Sequence, residues 1–396
     1  MRRPWPISEF AFAASLLLGA SFQVLSAQDP SVSLGPPLWT NDQVQLTLHG
    51  ESGVAYVIQS SADLHNWAPL VTNSDSGTAR LITAEAPNHA LFYRAVRGPL
   101  PLFSAALAAV GNINMKGNNL FTDSYDSSDP NYSVNGLYPF GILAKTKAGG
   151  DISTDASFID SLSVGDAKVK GSVRTGPGTN TIVIGTYGSI GDRAWVEGGS
   201  LGIQPGHSSA DFNASFPSVG IPVGSVFQPH NPDNTIISGT FYQYVFLISG
   251  SWYLPAGING NNGNIYVGPN ASVRLRIDVN VSSSSDVFRL SPTNAFLQIF
   301  VIASSFIFSG NASIDNQSGH PERFYLYGLP TCTTISLGGN GGLVGSIYAP
   351  QANFSLGGGA SDTWDIIGAV VTKSVTLNGH FNFHLDENLA RIGPWR

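Results

Sequence analysis

Leu343-Val-Gly-Ser-Ile-Tyr-Ala-Pro-Gln-Ala-Asn-Phe-Ser-Leu-Gly357 and Ile367-Gly-Ala-Val-Val-Thr-Lys-Ser-Val-Thr-Leu-Asn-Gly379 are two versions of one pattern, a few alternating residues that end at a glycine. Alternation is the period of a strand with one buried face. Gly and Asn accept the left-handed backbone that a sharp corner needs. Looser relatives of the unit occur at Gly111-Asn-Ile-Asn-Met-Lys-Gly-Asn118, Leu162 to Gly171, Tyr266 to Leu275 and Phe308 to Ile314. No amphipathic helix of useful length interrupts them. Short strands with Gly and Asn at the corners are how a parallel β-solenoid is built. An irregular two-sheet sandwich is the alternative that the uneven repeat length leaves open. Residues 205–264, with Pro205, Pro217, Pro222, Pro229, Pro232 and Pro255, break the rhythm and are expected to lie as long loops along the side of the coil.

Outward from this region the chain divides. Residues 35–97 carry five alternating runs, Val44 to Leu48, Ala55 to Gln59, Trp67 to Val71, Ala79 to Thr83 and Leu91 to Ala95, separated by turn clusters. That spacing predicts a small β-sandwich with Tyr56, Trp67 and Phe92 or Tyr93 inside. Gly98-Pro-Leu-Pro101 reads as a linker, because two prolines and a glycine resist both helix and central strand. The fold expected is all-β, a small β-sandwich followed by a parallel, β-helix-like solenoid over residues 102–396.

The first 27 residues read as a signal peptide: Arg2 and Arg3, an apolar stretch from Ala11 to Phe22, then Val24-Leu-Ser-Ala27, so the mature chain is expected to begin at Gln28. No later run is long and apolar enough for a membrane-spanning helix. An extracellular or cell-surface location follows, with the periplasm as the alternative. The net charge of −7 argues against nucleic acid as a partner, and a cell-envelope protein or polysaccharide fits better. Cys332 is the only cysteine, which excludes an intramolecular disulfide, and its Thr-rich surroundings suggest a buried small apolar residue.

Candidate sites are few. Asp123, Asp126 and Asp129, in Thr122-Asp-Ser-Tyr-Asp-Ser-Ser-Asp-Pro130, could wrap a Ca²⁺ ion, although the spacing is not that of an EF-hand and Asx-turns explain the same residues. No other cofactor is expected. His380, Asn382, His384 and Asp386 alternate with Phe381, Phe383 and Leu385. On a strand the two histidines would stand about 13 Å apart, too far to share one ion. Residues 380–396 are instead expected to close or brace the coil at its end, with His384 and Asp386 holding the closure by hydrogen bonds. The glutamates are scattered, as are Asp151, Asp155 and Asp160, with Asp192 and Arg193 the nearest mixed pair, so no catalytic residue is assigned.

Two resemblances accompany this reading. The string Tyr56-Val-Ile-Gln-Ser-Ser-Ala-Asp-Leu-His-Asn-Trp67, closing on Phe92-Tyr-Arg-Ala95, resembles fibronectin type III-like modules of secreted proteins from environmental bacteria, which implies a spacer or adhesion accessory. Gly345-Ser-Ile-Tyr-Ala-Pro350, Gly368 to Gly379 and Phe383-His-Leu-Asp-Glu387, with Gly117-Asn and Asp123 to Ser127, resemble a secreted bacterial domain of unknown function found on pilus-associated and surface proteins. The resemblance spans most of residues 105–390 and implies no catalytic residues. The expected function is a non-catalytic secreted or surface scaffold of adhesion type. The alternatives are a carbohydrate-active β-helix enzyme, lyase or hydrolase, and a glycan-binding module using Trp195, Tyr242 or Trp252 as stacking platforms.

Overall fold

The computed structural model describes residues 33–393 apart from 41–42, 50–55, 63, 65–67, 74–79, 86–91, 98–101, 117–119, 179–181, 215, 259, 261, 340–341 and 359–363. The signal segment, the 98–101 linker, Trp67, the Gly117-Asn118 turn and Trp395 lie outside the described residues. The chain separates into two compact units, residues 1–100 and 101–396.

In the first unit, Val44, Leu46 and Leu48 alternate with polar residues along Gln43–His49, and all three are buried. This strand pairs antiparallel with Ser33–Leu34, Leu38–Thr40 and Arg80–Glu85. A second antiparallel sheet places Tyr56–Ser61 between Ala68–Asn73 and Phe92–Arg97. Tyr56 and Ile58 face the same core as Val44 and Leu46, joined by half-buried Leu34, Tyr93 and Ala95. Of the two aromatic candidates on the last strand, Tyr93 packs inward and Phe92 is exposed. The register slips opposite Pro69, which has no N–H to give the ladder.

Over its described residues the second unit is a 26-stranded sheet wound into a parallel solenoid, three short strands to a typical turn, with one separate two-stranded hairpin. Inward Val, Ile, Leu and Phe side chains form a continuous core. Asn270 and Asn294 sit at positive φ, the backbone expected of asparagines at corners. Where two turns press closest, Gly368 lies on Gly345: a Cβ at Gly368, whose φ is +137°, would stand 2.0 Å from the Gly345 carbonyl oxygen.

The path of the chain through this stack is not sequential. It starts with Leu107–Ala109, Ile113–Met115 and Phe121–Tyr125. From there it winds through Ile152–Thr154, Leu162–Gly165 and Lys168–Lys170, then Val173–Arg174, Ile182–Ile184 and Ser189–Gly191, to a blunt end at Gly202–Ile203 and Ser208–Ser209. Residues 210–227 then run back along the outside. The Phe212 N–H bonds the Thr175 carbonyl. The Tyr348 hydroxyl donates to the Pro217 carbonyl at 2.9 Å, Gln351 donates to Ser218 at 3.0 Å, and Phe227 packs on Phe300. Winding resumes at Gln228–Pro229 and returns through Gly250–Tyr253, Ser272–Ile277, Phe296–Val301 and Phe324–Gly328 to the long strands Leu343–Gly358 and Trp364–Gly379. The side loop expected over 205–264 is thus found at 210–227, and the later part of that range re-enters the coil apart from the separate hairpin of Thr235–Ile237 and Thr240–Tyr242.

Trp364–Gly379 pairs with Leu343–Gly358 on one side and with Leu107–Ala109 and Ile113–Met115 on the other. The last strand, Phe381–Asp386, lies between Trp364–Gly379 and Phe121–Tyr125. Of the expectation that residues 380–396 close or brace the coil, the closing of an end is therefore corrected, whereas Phe381–Asp386 does brace it between two strands. Phe381, Phe383, Leu385 and Leu389 are buried as expected, but mid-stack, where the first and last turns meet. The reason is that a strand with neighbours on both sides has no edge to cover. The free ends are protected differently, by strands of two residues and a proline, and by Asp233, whose carboxylate accepts the N–H of Val245 at 2.7 Å.

Candidate functional site

The polar groups that the sequence singles out gather at this seam. Along Phe381–Asp386 the aromatic and leucine side chains enter the core, which turns Asn382, His384 and Asp386 to the outer surface of the strand. The neighbouring strand sets Asp123 opposite His384 and Tyr125 opposite Asp386. Residues 126–148 fold over both.

His384 is almost fully enclosed. One ring nitrogen, Nδ1, lies 2.6 Å from Asp123 Oδ1, and Nε2 is 3.6 Å from Asp365 Oδ1. Asp365 is held in turn by the Asn382 amide at 2.8 Å. Tyr138 stacks on the imidazole with ring centroids 3.8 Å apart and donates its hydroxyl to Asp123 Oδ2 at 3.0 Å. Burial alone would lower the His384 pKa, but the bonds to Asp123 and Asp365 outweigh it and hold the imidazole above its ordinary value. Burial, reinforced by the Asp123 charge, pushes the Tyr138 hydroxyl well up, so it stays a donor. The result is an imidazole held between two carboxylates, clamped rather than presented.

The remaining polar side chains tie the C-terminus to the 126–148 segment. Asp386 Oδ1 accepts the N–H groups of Ser127 and Asn388, each at 3.0 Å. Arg391 pairs with Asp126 and bonds Ser128 Oγ at 2.9 Å. Burial works against the Asp126 charge, but the Ser128 hydroxyl and Arg391 prevail and lower its pKa. Glu387 pairs with Lys147 and accepts the Ser124 hydroxyl at 2.8 Å. Asp386 is raised by burial despite its bonds, and its Oδ2, like the Tyr125 hydroxyl, is sheltered without a partner.

The three aspartates named for calcium are adjacent in sequence but face different partners. Asp123 turns to His384 and Tyr138, Asp126 to Arg391, and half-buried Asp129 caps its own turn by accepting the Asn131 N–H at 2.8 Å. Among the described residues no group of three or more His, Cys, Asp or Glu side chains is placed to hold a metal ion. Two further carboxylates are spent locally: Asp192 accepts the Trp195 N–H at the start of the helix Arg193–Glu197, and Asp151 accepts the Ser172 N–H. Nor do the proposed stacking platforms offer open rings. Tyr242 is buried, with its hydroxyl accepting from Arg289, Trp195 is half-buried, and half-buried Trp252 packs on Phe246.

Sequence reading missed Tyr138 and Asp365, the partners that give His384 its environment, because Tyr138 lies in the segment folded over the strands and Asp365 in a neighbouring strand of the coil. It also missed an open cleft of about 400 Å³ on the outer surface of Phe296–Val301 and Phe324–Gly328. It is lined by Phe296, Gln298, Glu322, Arg323, Ile392 and Gly393 and by Tyr325 and Tyr327, which are themselves buried, with Phe103 stacked on Tyr325. Alternation along those strands was the available signal, but outward aromatics on a solenoid do not announce whether a neighbouring segment covers them.

Among the described residues no helix is long and apolar enough to cross a membrane. No curated protein and no solved structure matches the chain. Residues 230–392, from the point where the chain re-enters the stack to the helix carrying Arg391, match a family model described as a domain of unknown function (DUF7305).

Proposed function

We propose that the protein is an exported, non-catalytic scaffold of adhesion type, acting at the cell surface or in the extracellular space. The observation that carries the reading is the fate of the ionisable groups at the seam: His384, Asp123, Asp126, Glu387 and Arg391 are consumed in bonds that hold the first turn to the last. The cleft supports the same reading, because it presents one carboxylate and one guanidinium, whereas glycoside hydrolysis draws on a pair of carboxylates about the scissile bond. The N-terminal segment supports export, and the pairing in the first unit, with 43–49 central in one sheet and 56–61 in the other, is compatible with a fibronectin type III-like spacer. In this reading the solenoid presents a long rigid surface to a cell-envelope protein or polysaccharide.

The test joins location and turnover. N-terminal sequencing of the protein recovered outside producing cells should begin at Gln28, and prolonged incubation with plant, algal and bacterial polysaccharides should release no new reducing or unsaturated ends. A chain retaining Met1 inside the cell defeats the export half. Product release that follows the protein through purification defeats the non-catalytic half and favours a β-helix lyase or hydrolase.

A further inference from the structure

The coil is two half-stacks laid edge to edge. Residues 107–209 wind from the join toward one end, and residues 228–386 return to it from the other. At the join Leu107–Ala109 meets Trp364–Gly379, and Phe121–Tyr125 meets Phe381–Asp386, by pairing alone. The covalent link between the halves runs outside, through residues 210–227. Each edge at the join fits the other, and a second copy of the chain carries the same two edges. An open join would therefore invite strand exchange between copies.

The ladder on one face sets how far the join can open. Its aligned residues run Ser209, Arg174, Ser153 and Ala108, then across the join to Val371 and Tyr348. Ser209 and Tyr348 are thus five strand spacings apart, about 24 Å. The outside segment covers this distance with the eight residues from Ser209 to Pro217, whose carbonyl accepts the Tyr348 hydroxyl at 2.9 Å. Gln351 holds the next residue, Ser218, at 3.0 Å. Eight residues reach at most about 26 to 29 Å. The spare length is therefore less than one strand spacing. Beyond Ser218 the segment is slack: the Ser225 N–H turns back on the Pro222 carbonyl, and Val223 is fully exposed.

We propose that residues 209–218 act as a strap that keeps the join closed to a second copy of this chain. The strap is fixed to the first half where Ser209 pairs with Arg174 and the Phe212 N–H bonds the Thr175 carbonyl. On the second half it is fixed at Tyr348 and Gln351, in the strand next to the one that forms the join. Phe216 and Val219 seat it against the core. Separating the halves along the coil axis must stretch the strap. Its spare length runs out before the gap widens by the ~4.8 Å that one inserted strand requires. The slack at 222–226 cannot feed into the taut stretch while the Tyr348 and Gln351 anchors hold.

The experiment places the same six-residue Gly-Ser insert at two points of the full chain, between Asn213 and Ala214 and between Gly224 and Ser225. Hydrogen exchange and light scattering are then measured. The first insert lengthens the taut stretch, so it should speed exchange of the Leu107–Ala109 and Val370–Thr372 amides at least tenfold. It should also yield a dimer whose share grows with protein concentration, because a longer tether lowers the effective concentration of one half at the other. The second insert adds only slack and should leave both readouts as in the unaltered chain. Tyr348→Phe combined with Gln351→Ala releases the anchor at unchanged length. That variant should speed the same amides and form the same dimer, and it decides the matter where the first insert does not fold. Two inserts that act alike, join amides indifferent to the first insert or to the released anchor, or a join that opens without a dimer would each overturn the proposal.

Discussion

Replacing Phe383 by alanine tests the seam most directly. The side chain is wholly buried in the solenoid core, on a strand held between Trp364–Gly379 and Phe121–Tyr125. Emptying such a site costs about 3 to 5 kcal/mol, the lost transfer energy plus the cavity left behind. Unfolding entropy near 2.1 cal/mol/K per residue gives a unit of about 300 residues roughly 0.6 kcal/mol/K, so calorimetry of the full chain should show a midpoint lowered by about 5 to 8 °C. EDTA should not reproduce this shift. Hydrogen exchange then locates the damage. Amides of Phe121–Tyr125 and Trp364–Gly379 should lose protection together, because they flank the weakened strand. Loss confined to the coil ends near residues 202–209 or 228–246 would mean that the C-terminus braces an end after all. An unchanged midpoint would refute the packing argument itself.

Other perturbations reach different links of the same structure. Gly368→Ala should cost about 1 to 3 kcal/mol in chemical denaturation, since its Cβ meets the Gly345 carbonyl oxygen with no room for either backbone to yield. Because the folded chain raises the His384 pKa, its stabilisation is full below the unfolded value of about 6.5 and is lost as pH climbs through the raised one; His384→Gln should flatten that limb of a stability–pH curve. Asp126 has the opposite sign: its lowered pKa stabilises above about pH 3.9 and fails as pH falls through the folded value, so Asp126→Asn should blunt the acid limb. Cys332 is buried, with its thiol pushed up to about 11 by burial, and a thiol reagent at pH 8 should label it only after denaturant is added.

What was legible in the sequence followed from periods and corners. Alternation located Gln43–His49 and the long strands 343–358 and 364–379, and the Gly-Asn punctuation identified a coil whose corners carry Asn270, Asn294, Gly345 and Gly368 at positive φ. The outward and inward faces of 381–386 were also correct, because period two on a strand leaves no other arrangement. The order of the turns was not legible. Nothing local in Phe121–Tyr125 says that its neighbour is a strand more than 250 positions later, since a parallel ladder carries no side-chain code beyond fit and register. For the same reason Tyr138 and Asp365 escaped notice as partners of His384. The three aspartates clustered in sequence but diverged in space because successive residues of the turn after Tyr125 point to different elements.

The path of the chain has a further physical consequence. The first turn, 107–125, is laid down with both edges open, and only one receives a neighbour from the residues that follow directly. The other waits for Trp364–Gly379 and Phe381–Asp386, the last strands of the fold. Such contacts carry high loop-closure entropy and form late, so an open edge persists during folding and needs something to favour the right occupant over a foreign strand. The polar seam supplies that discrimination. Asp123 is buried and is satisfied only when His384 and Tyr138 arrive in register, and a slip of one residue would turn Phe383 outward and His384 into the core. Burying ionised groups stabilises little on balance, but leaving one of them unpaired is expensive, which makes a wrongly paired edge costly in a way that an apolar seam would not. On this account the histidine and aspartates serve as a register lock. That role requires their burial and their hydrogen bonds, and it explains why the most chemically suggestive residues of the sequence lie beneath the 126–148 segment rather than in the open cleft.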